Sequence, residues 1–147
     1  MDNKNLSLSG LKVLVVDDEE DTLALTKVML ELYDAEVITS PTAAIGLEQV
    51  QMQRPNVIIS DIRMPHVDGY QFIQAVRNLP VHKGRRTPAV AFTTFGRVKD
   101  RARAFNAGFQ GYLSKLVSFE VLIETIVSIT NLPTHSAYWK RPISPPS

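Results

Sequence analysis

Three aspartates, a threonine and a lysine carry the chemistry that this chain offers. Asp17 and Asp18 open a run of five acids, Asp61 follows the apolar run Val57-Ile58-Ile59 and one serine, and Thr93 and Lys115 each close a further apolar stretch. An acid at the end of a buried segment is costly unless a counter-charge, hydrogen bonds or a metal balance it. Three carboxylates crowded together raise one another's pKa, and a divalent cation relieves the repulsion. Oxygen donors without His or Cys select a hard ion such as magnesium over zinc. Magnesium takes one or two carboxylates and fills its octahedron with water and phosphate oxygens. Such a site suits a phosphoryl group. Lys115 offers a point charge to a phosphate oxygen, and the Thr93 hydroxyl offers one hydrogen bond. Asp61 is left as the nucleophile, a carboxylate being able to form a covalent phosphoryl intermediate. Transfer would be in line, with metal and lysine neutralising the equatorial oxygens.

These residues are far apart in sequence, so regular elements must bring them together. Residues 11–16 (Leu-Lys-Val-Leu-Val-Val) read as a strand buried on both faces. A helix follows, with Leu25, Met29 and Leu32 spaced i, i+4, i+7 as its inward stripe. Glu19, Glu20 and Asp21 read as its solvated, acidic first turn. Residues 36–39 form a second strand. Ser40-Pro41 then serves as N-cap and first position of a helix over 42–53, with Ala44, Leu47 and Val50 inward. Residues 57–60 are the third strand and 61–69 the loop after it, where Asp68-Gly69 reads as a structural turn. A helix over 70–78 faces Phe72, Ile73 and Val76 inward. After a basic connection, residues 88–92 form a fourth strand and 97–107 a short basic helix, with Gly108 at the C′ position. Residues 111–114 are the fifth strand. Phe119, Leu122, Ile123 and Ile126 mark a last amphipathic helix.

Five βα units with continuous apolar strands imply an α/β fold: a doubly wound, five-stranded parallel sheet, helices on both faces and right-handed crossovers. In such sheets ligands bind beyond the carboxyl ends of the strands, where the strand order reverses. Asp17, Asp18, Asp61, Thr93 and Lys115 all fall at that edge. Taken singly, each acid is as well explained as a cap or a turn residue; the set of five is not.

Composition is consistent with this. The 147 residues are 44% hydrophobic and 21% charged, with a formal net charge of +1. That balance argues for one globular domain and gives no reason to expect nucleic acid or an anionic membrane as partner. The absence of cysteine excludes disulfides, thiolate zinc sites and cysteine nucleophiles. No apolar run has membrane-spanning length and no secretory signal is visible, so a cytoplasmic protein is expected. Residues 1–10 read as a loose arm and 11–130 as the domain. Residues 131–147, which hold four of the nine prolines, read as an irregular tail. His66, His82 and His135 are scattered and are assigned no site.

Val15-Val16-Asp17-Asp18, Asp61-Ile62-Arg63-Met64-Pro65 with Asp68-Gly69, Ala91-Phe92-Thr93-Thr94 and Tyr112-Leu113-Ser114-Lys115 together resemble the receiver domain of two-component response regulators. The resemblance covers about residues 10–130, and four motifs in order at the proper strand ends make it specific. It implies a flavodoxin- or CheY-like (βα)5 fold with strand order 2-1-3-4-5, a fold used as an example of the switch-point rule. It further implies that Asp61 receives a phosphoryl group from a phosphohistidine on a sensor histidine kinase or a phosphotransfer protein. Asp17, Asp18, Asp61 and the backbone carbonyl of Arg63 would hold magnesium. Thr93 and Tyr112 would be a switch pair, reporting to a downstream protein at the face of helix 4, strand 5 and helix 5. The basic residues Arg97, Lys99, Arg101 and Arg103 are a solvated face or part of that docking surface.

Three positions depart from the family pattern. Leu116 replaces the usual proline after the lysine; a cis bond before a non-proline residue costs about 2.5–4 kcal/mol, so a trans bond and an altered loop are expected. Thr94 stands where a smaller residue is usual and would narrow access for the phosphodonor. Phe95, with Arg63 opposite, would hinder the attacking water and slow self-dephosphorylation; a half-life of seconds for the purified aspartyl phosphate would contradict this. The expected protein is a stand-alone receiver rather than a conventional enzyme. Its rivals are a degenerate receiver that only binds partners, a fragment of a hybrid kinase, and an aspartate-nucleophile phosphatase. The phosphatase would want an acid two residues after Asp61, where Arg63 stands.

Overall fold

The computed structural model describes residues 6–94 and 98–130. Phe95, Arg97, His135 and the Pro-rich segment 131–147 lie outside the described residues. The five strands β1 (Lys12–Val16), β2 (Glu36–Ser40), β3 (Val57–Ser60), β4 (Ala89–Thr93) and β5 (Gly111–Ser114) form one parallel sheet of order β2-β1-β3-β4-β5. The helices between and after them are α1 (Glu20–Glu31), α2 (Ala43–Gln53), α3 (Gly69–Arg77), α4 (Val98–Ala107) and α5 (Phe119–Thr130), with a 3-10 turn at Val81–Lys83. Fold class and strand order are those read from the sequence.

Side-chain alternation along the strands divides the core into two layers. Leu14, Val16, Ile58, Ala89 and Ala91 pack with Val50, Phe72, Ile73, Val76, Ala104 and Phe109, on the side of α2, α3 and α4. Val13, Val15, Val57, Ile59, Val90 and Phe92 pack with Leu23, Leu30, Leu122, Ile123 and Ile126, on the side of α1 and α5. Burial on both faces is why these strands read as unbroken apolar runs.

Three details of the element reading change. The inward residues of α1 are Leu23, Thr26 and Leu30, whereas Leu25 is 54% and Leu32 is 69% exposed. The polar Thr26 sits in the buried stripe, and its Oγ1 has no hydrogen-bond partner. In α2 the buried residues are Ala43, Gly46 and Val50; Leu47 packs at the core margin, and Ala44 faces solvent. The N-cap is Thr42, whose side chain accepts from the Ile45 N–H, while Ser40 ends β2 and its hydroxyl donates to the Thr42 carbonyl. Finally, the arm is not loose where it is described. Leu8 is fully buried in the α1/α5 layer, and its N–H donates to the Tyr33 carbonyl at 2.7 Å.

The sequence reading of α3 holds: Phe72, Ile73 and Val76 are buried. Asp68 and Gln71 form a capping box at its start, which satisfies two of the free amide groups of the first turn. Gly69 is required there, because a Cβ at this position would lie 2.3 Å from the Asp61 carbonyl oxygen. The start of α3 is thus seated directly on the backbone of Asp61.

Candidate functional site

The carboxyl edge of the sheet positions the site by extending its hydrogen-bond ladder one residue beyond β1, β3 and β5. The Asp17 N–H donates to the Ser40 carbonyl at 3.1 Å, the Asp61 N–H to Val16 at 2.9 Å, and the Lys115 N–H to Thr93 at 2.7 Å. Each reactive side chain therefore leaves a backbone as fixed as the strand before it. Asp17, Asp61 and Thr93 are 2%, 5% and 3% exposed, while Asp18 faces solvent.

Lys115 draws the set together. Its Nζ donates to Asp17 Oδ2 at 2.7 Å and to Asp61 Oδ2 at 2.9 Å, and Glu19 Oε1 lies 3.7 Å away. The other oxygen of Asp61 accepts the N–H groups of Ile62 at 2.7 Å and Arg63 at 3.3 Å. Asp17 Oδ1 accepts the Glu19 N–H at 3.0 Å. No peptide bond among the described residues is cis, and Leu116, 86% exposed, follows Lys115 without diverting its side chain from the acids.

Burial and pairing act together on Asp17 and Lys115. Burial pushes the Asp17 carboxyl above its usual 3.8, because hydrogen bonds from Lys115 and the Glu19 N–H offset only part of the desolvation and the Asp61 charge adds to the rise. Burial works against the charged form of Lys115 as well, but its hydrogen bonds to Asp17 and Asp61 outweigh it, and its pKa stands above the ordinary 10.5. Lys115 gains from both Asp17 and Asp61, whereas Asp17 has one ammonium, with the Glu19 N–H, to offset its burial.

Carboxylate oxygens of Asp17, Asp18 and Asp61 lie within 4.8 Å of one another. An all-oxygen cluster of two buried acids and one exposed acid fits a hard divalent cation that keeps part of its water shell. A cavity of about 220 Å³ opens over the cluster, lined by Asp18, Glu19, Asp61, Arg63, Thr93 and Thr94. A second cavity of about 560 Å³ adjoins it on the α3/α4 side, where Thr93 and Tyr112 are among the lining residues. Tyr112 is buried, 8% exposed.

The sequence-selected residues thus meet at one edge. His66 stands apart in an exposed, left-handed turn of the loop after β3. Glu19 was the residue that sequence reasoning placed differently. Within a run of acids it reads as helix start, and nothing in its spacing marks its approach to Lys115.

A parallel sheet of order 2-1-3-4-5 with an acidic cluster and a lysine at its carboxyl edge is the arrangement of a receiver domain. The profile of the response regulator receiver domain matches residues 13–127, and the chain belongs to that family. It is 39% identical over 120 residues to an uncharacterized 14.6 kDa protein of Leptolyngbya boryana, covering 82% of this chain and 90% of the other. Among solved structures, the chemotaxis protein CheY4 of Vibrio cholerae shares 30% identity with a TM-score of 0.73, over 80% of this chain and 97% of that one. The receiver domain of a sensor histidine kinase of Pseudomonas aeruginosa shares 25% identity with a TM-score of 0.76, over 84% of this chain and all of that one; it holds a magnesium ion in its active site cleft. Longer relatives match over less of their length, 54% of a probable transcriptional regulator and 8% of a hybrid signal transduction histidine kinase. Receiver domains interact with histidine kinases or phosphotransfer proteins and take part in two-component signalling. No described helix is long and apolar enough to cross a membrane.

Proposed function

We propose that Asp61 is the phosphoacceptor of this receiver and that its phosphorylation switches a protein-binding face. The observation that carries the reading is the double contact of Lys115 with Asp17 and Asp61, at 2.7 and 2.9 Å, beside a three-carboxylate cluster. Asp17, Asp18, Asp61 and the Arg63 backbone carbonyl would hold magnesium, which when bound supplies positive charge to the phosphoryl oxygens.

In the transfer, an Asp61 oxygen forms a bond to phosphorus while the phosphorus–nitrogen bond of a phosphohistidine breaks, the electron pair leaving with the imidazole. The donor would be a sensor histidine kinase or a phosphotransfer protein. The N–H groups of Ile62 and Arg63 hold Asp61 Oδ1 and fix the carboxylate plane. Lys115 exchanges carboxylate contacts for a phosphoryl oxygen, and Thr93, lining the cavity, offers its hydroxyl. Thr93 and Tyr112 also line the second cavity beside α4. A displacement of Thr93 toward the phosphoryl group therefore changes the space open to Tyr112. Population shift follows only from such a difference in contacts between states. The responding surface would be α4, β5 and α5, where Lys99, Arg101 and Arg103 are exposed.

Incubation with acetyl phosphate and magnesium, followed by intact mass, tests the assignment. One phosphoryl group should be gained by the wild type and none by Asp61→Asn. Gain by the asparagine variant, or no gain by the wild type with either acetyl phosphate or a kinase, overturns it.

A further inference from the structure

Glu19 occupies the N-cap position of α1, yet its side chain accepts no capping hydrogen bond from the helix backbone. Ser, Thr, Asp and Asn are the residues that cap a helix there, so backbone capping gives no reason for a glutamate at this position. Its carboxylate lies between the Thr22 hydroxyl of the helix and the Lys115 ammonium of the site. Oε1 lies 3.7 Å from Lys115 Nζ, and the Thr22 hydroxyl donates to the same oxygen at 3.1 Å. The side chain is 64% exposed and lines the cavity over Asp61, beside Asp18 and Thr94.

We propose that Glu19 is a specificity-determining residue of the phosphoryl site, one that disfavours free anionic phosphodonors. The inference rests on the assignment of Asp61 as phosphoacceptor. Four carboxylates (Asp17, Asp18, Glu19 and Asp61) border the site with two cations, Arg63 and Lys115. A divalent ion brings that set to formal neutrality, and neutralising Glu19 alone would make it positive toward an incoming phosphoryl dianion. Glu19 also competes for the ammonium that the phosphoryl oxygens need. A protein-borne phosphohistidine overcomes this rim through contacts made elsewhere on its surface, because remote binding energy supports the reacting centre. A small donor has no such contacts and meets the repulsion in full.

The test compares wild type, Glu19→Gln and Glu19→Asp with acetyl phosphate and magnesium. In this reaction an Asp61 oxygen bonds to phosphorus as the phosphorus–oxygen bond to the acetyl group breaks, and acetate leaves with the electron pair. Glu19→Gln should raise the rate about two- to fivefold, the range of an exposed charge pair. The gain should shrink as salt is raised to about 1 M, where the Debye length falls to about 3 Å. Glu19→Asp should stay near wild type, since it keeps the charge. Magnesium affinity by calorimetry separates donor selection from metal binding: it should be equal or weaker in Glu19→Gln while the rate rises. An unchanged or lower rate in Glu19→Gln, a gain insensitive to salt, or the same gain in Glu19→Asp overturns the proposal. If the wild type gains a phosphoryl group neither from acetyl phosphate nor from a phosphohistidine donor, the assignment beneath it fails instead.

Discussion

Asp17 sets the stability of the site in the absence of metal. Its folded-state pKa stands above 3.8, with burial as the leading cause. The native chain therefore takes up a proton more readily than the unfolded chain in the window above 3.8. Stability is lost as pH rises through the folded value and regained as pH falls through it. Asp17→Asn, which removes that charge while Asp61 still pairs Lys115, should raise metal-free stability at pH 7. The difference from wild type should narrow in thermal melts as pH falls toward the usual carboxylate value of 3.8. A variant less stable than wild type at pH 7 would show that the Lys115 contact outweighs the burial. At this scale much of the site was legible, because Asp17, Asp61, Thr93 and Lys115 each interrupt an apolar run and so announce a strand end. Glu19 was not, since its approach to Lys115 depends on a rotamer and on the neighbouring Thr22.

The elements were legible in kind and order but not always in facing. Continuous Val, Ile and Leu runs specify strands covered on both faces. The helix stripes of α1 were ambiguous because Leu23, Leu25, Val28, Met29, Leu30 and Leu32 supply apolar residues on more than one side. Periodicity selected Leu25, Met29 and Leu32; the fold buries Leu23, Thr26 and Leu30 instead, tolerating the Thr26 hydroxyl in the stripe. A similar ambiguity exposes Ala44 and buries Ala43 in α2. The two facings of α1 predict opposite outcomes for simple substitutions. Leu30→Ala should cost about 2–5 kcal/mol through lost burial and a residual cavity. Leu25→Gln should change stability by no more than about 0.5 kcal/mol. Urea denaturation of the two variants decides it, and a larger cost for Leu25→Gln would restore the stripe chosen from periodicity. Leu8 makes the same point for the arm. A single leucine in a polar segment carries no period, and only the tertiary fold shows that it closes the α1/α5 layer.

For the whole molecule, folding and the proposed metal binding would be one equilibrium. The three carboxylates converge only when β1 and β3 lie side by side, in the register that pairs Val16 with Ser60. The unfolded chain places Asp17 and Asp61 far apart and offers a divalent ion no comparable site. A ligand bound to the native state alone stabilises it by about 2.7 kcal/mol at a hundredfold excess over its dissociation constant. For a chain of this length that corresponds to roughly 5–10 °C. Magnesium should therefore raise the melting temperature of the wild type, and EDTA should reverse it. Asp18→Asn is the informative control, because Asp18 is exposed and its substitution costs the fold little. That variant should melt with the wild type in EDTA yet lose most of the magnesium-dependent rise. An equal rise in both proteins would remove Asp18 from the metal site. If Asp61→Asn also kept the full rise, the ion would be bound elsewhere on the molecule.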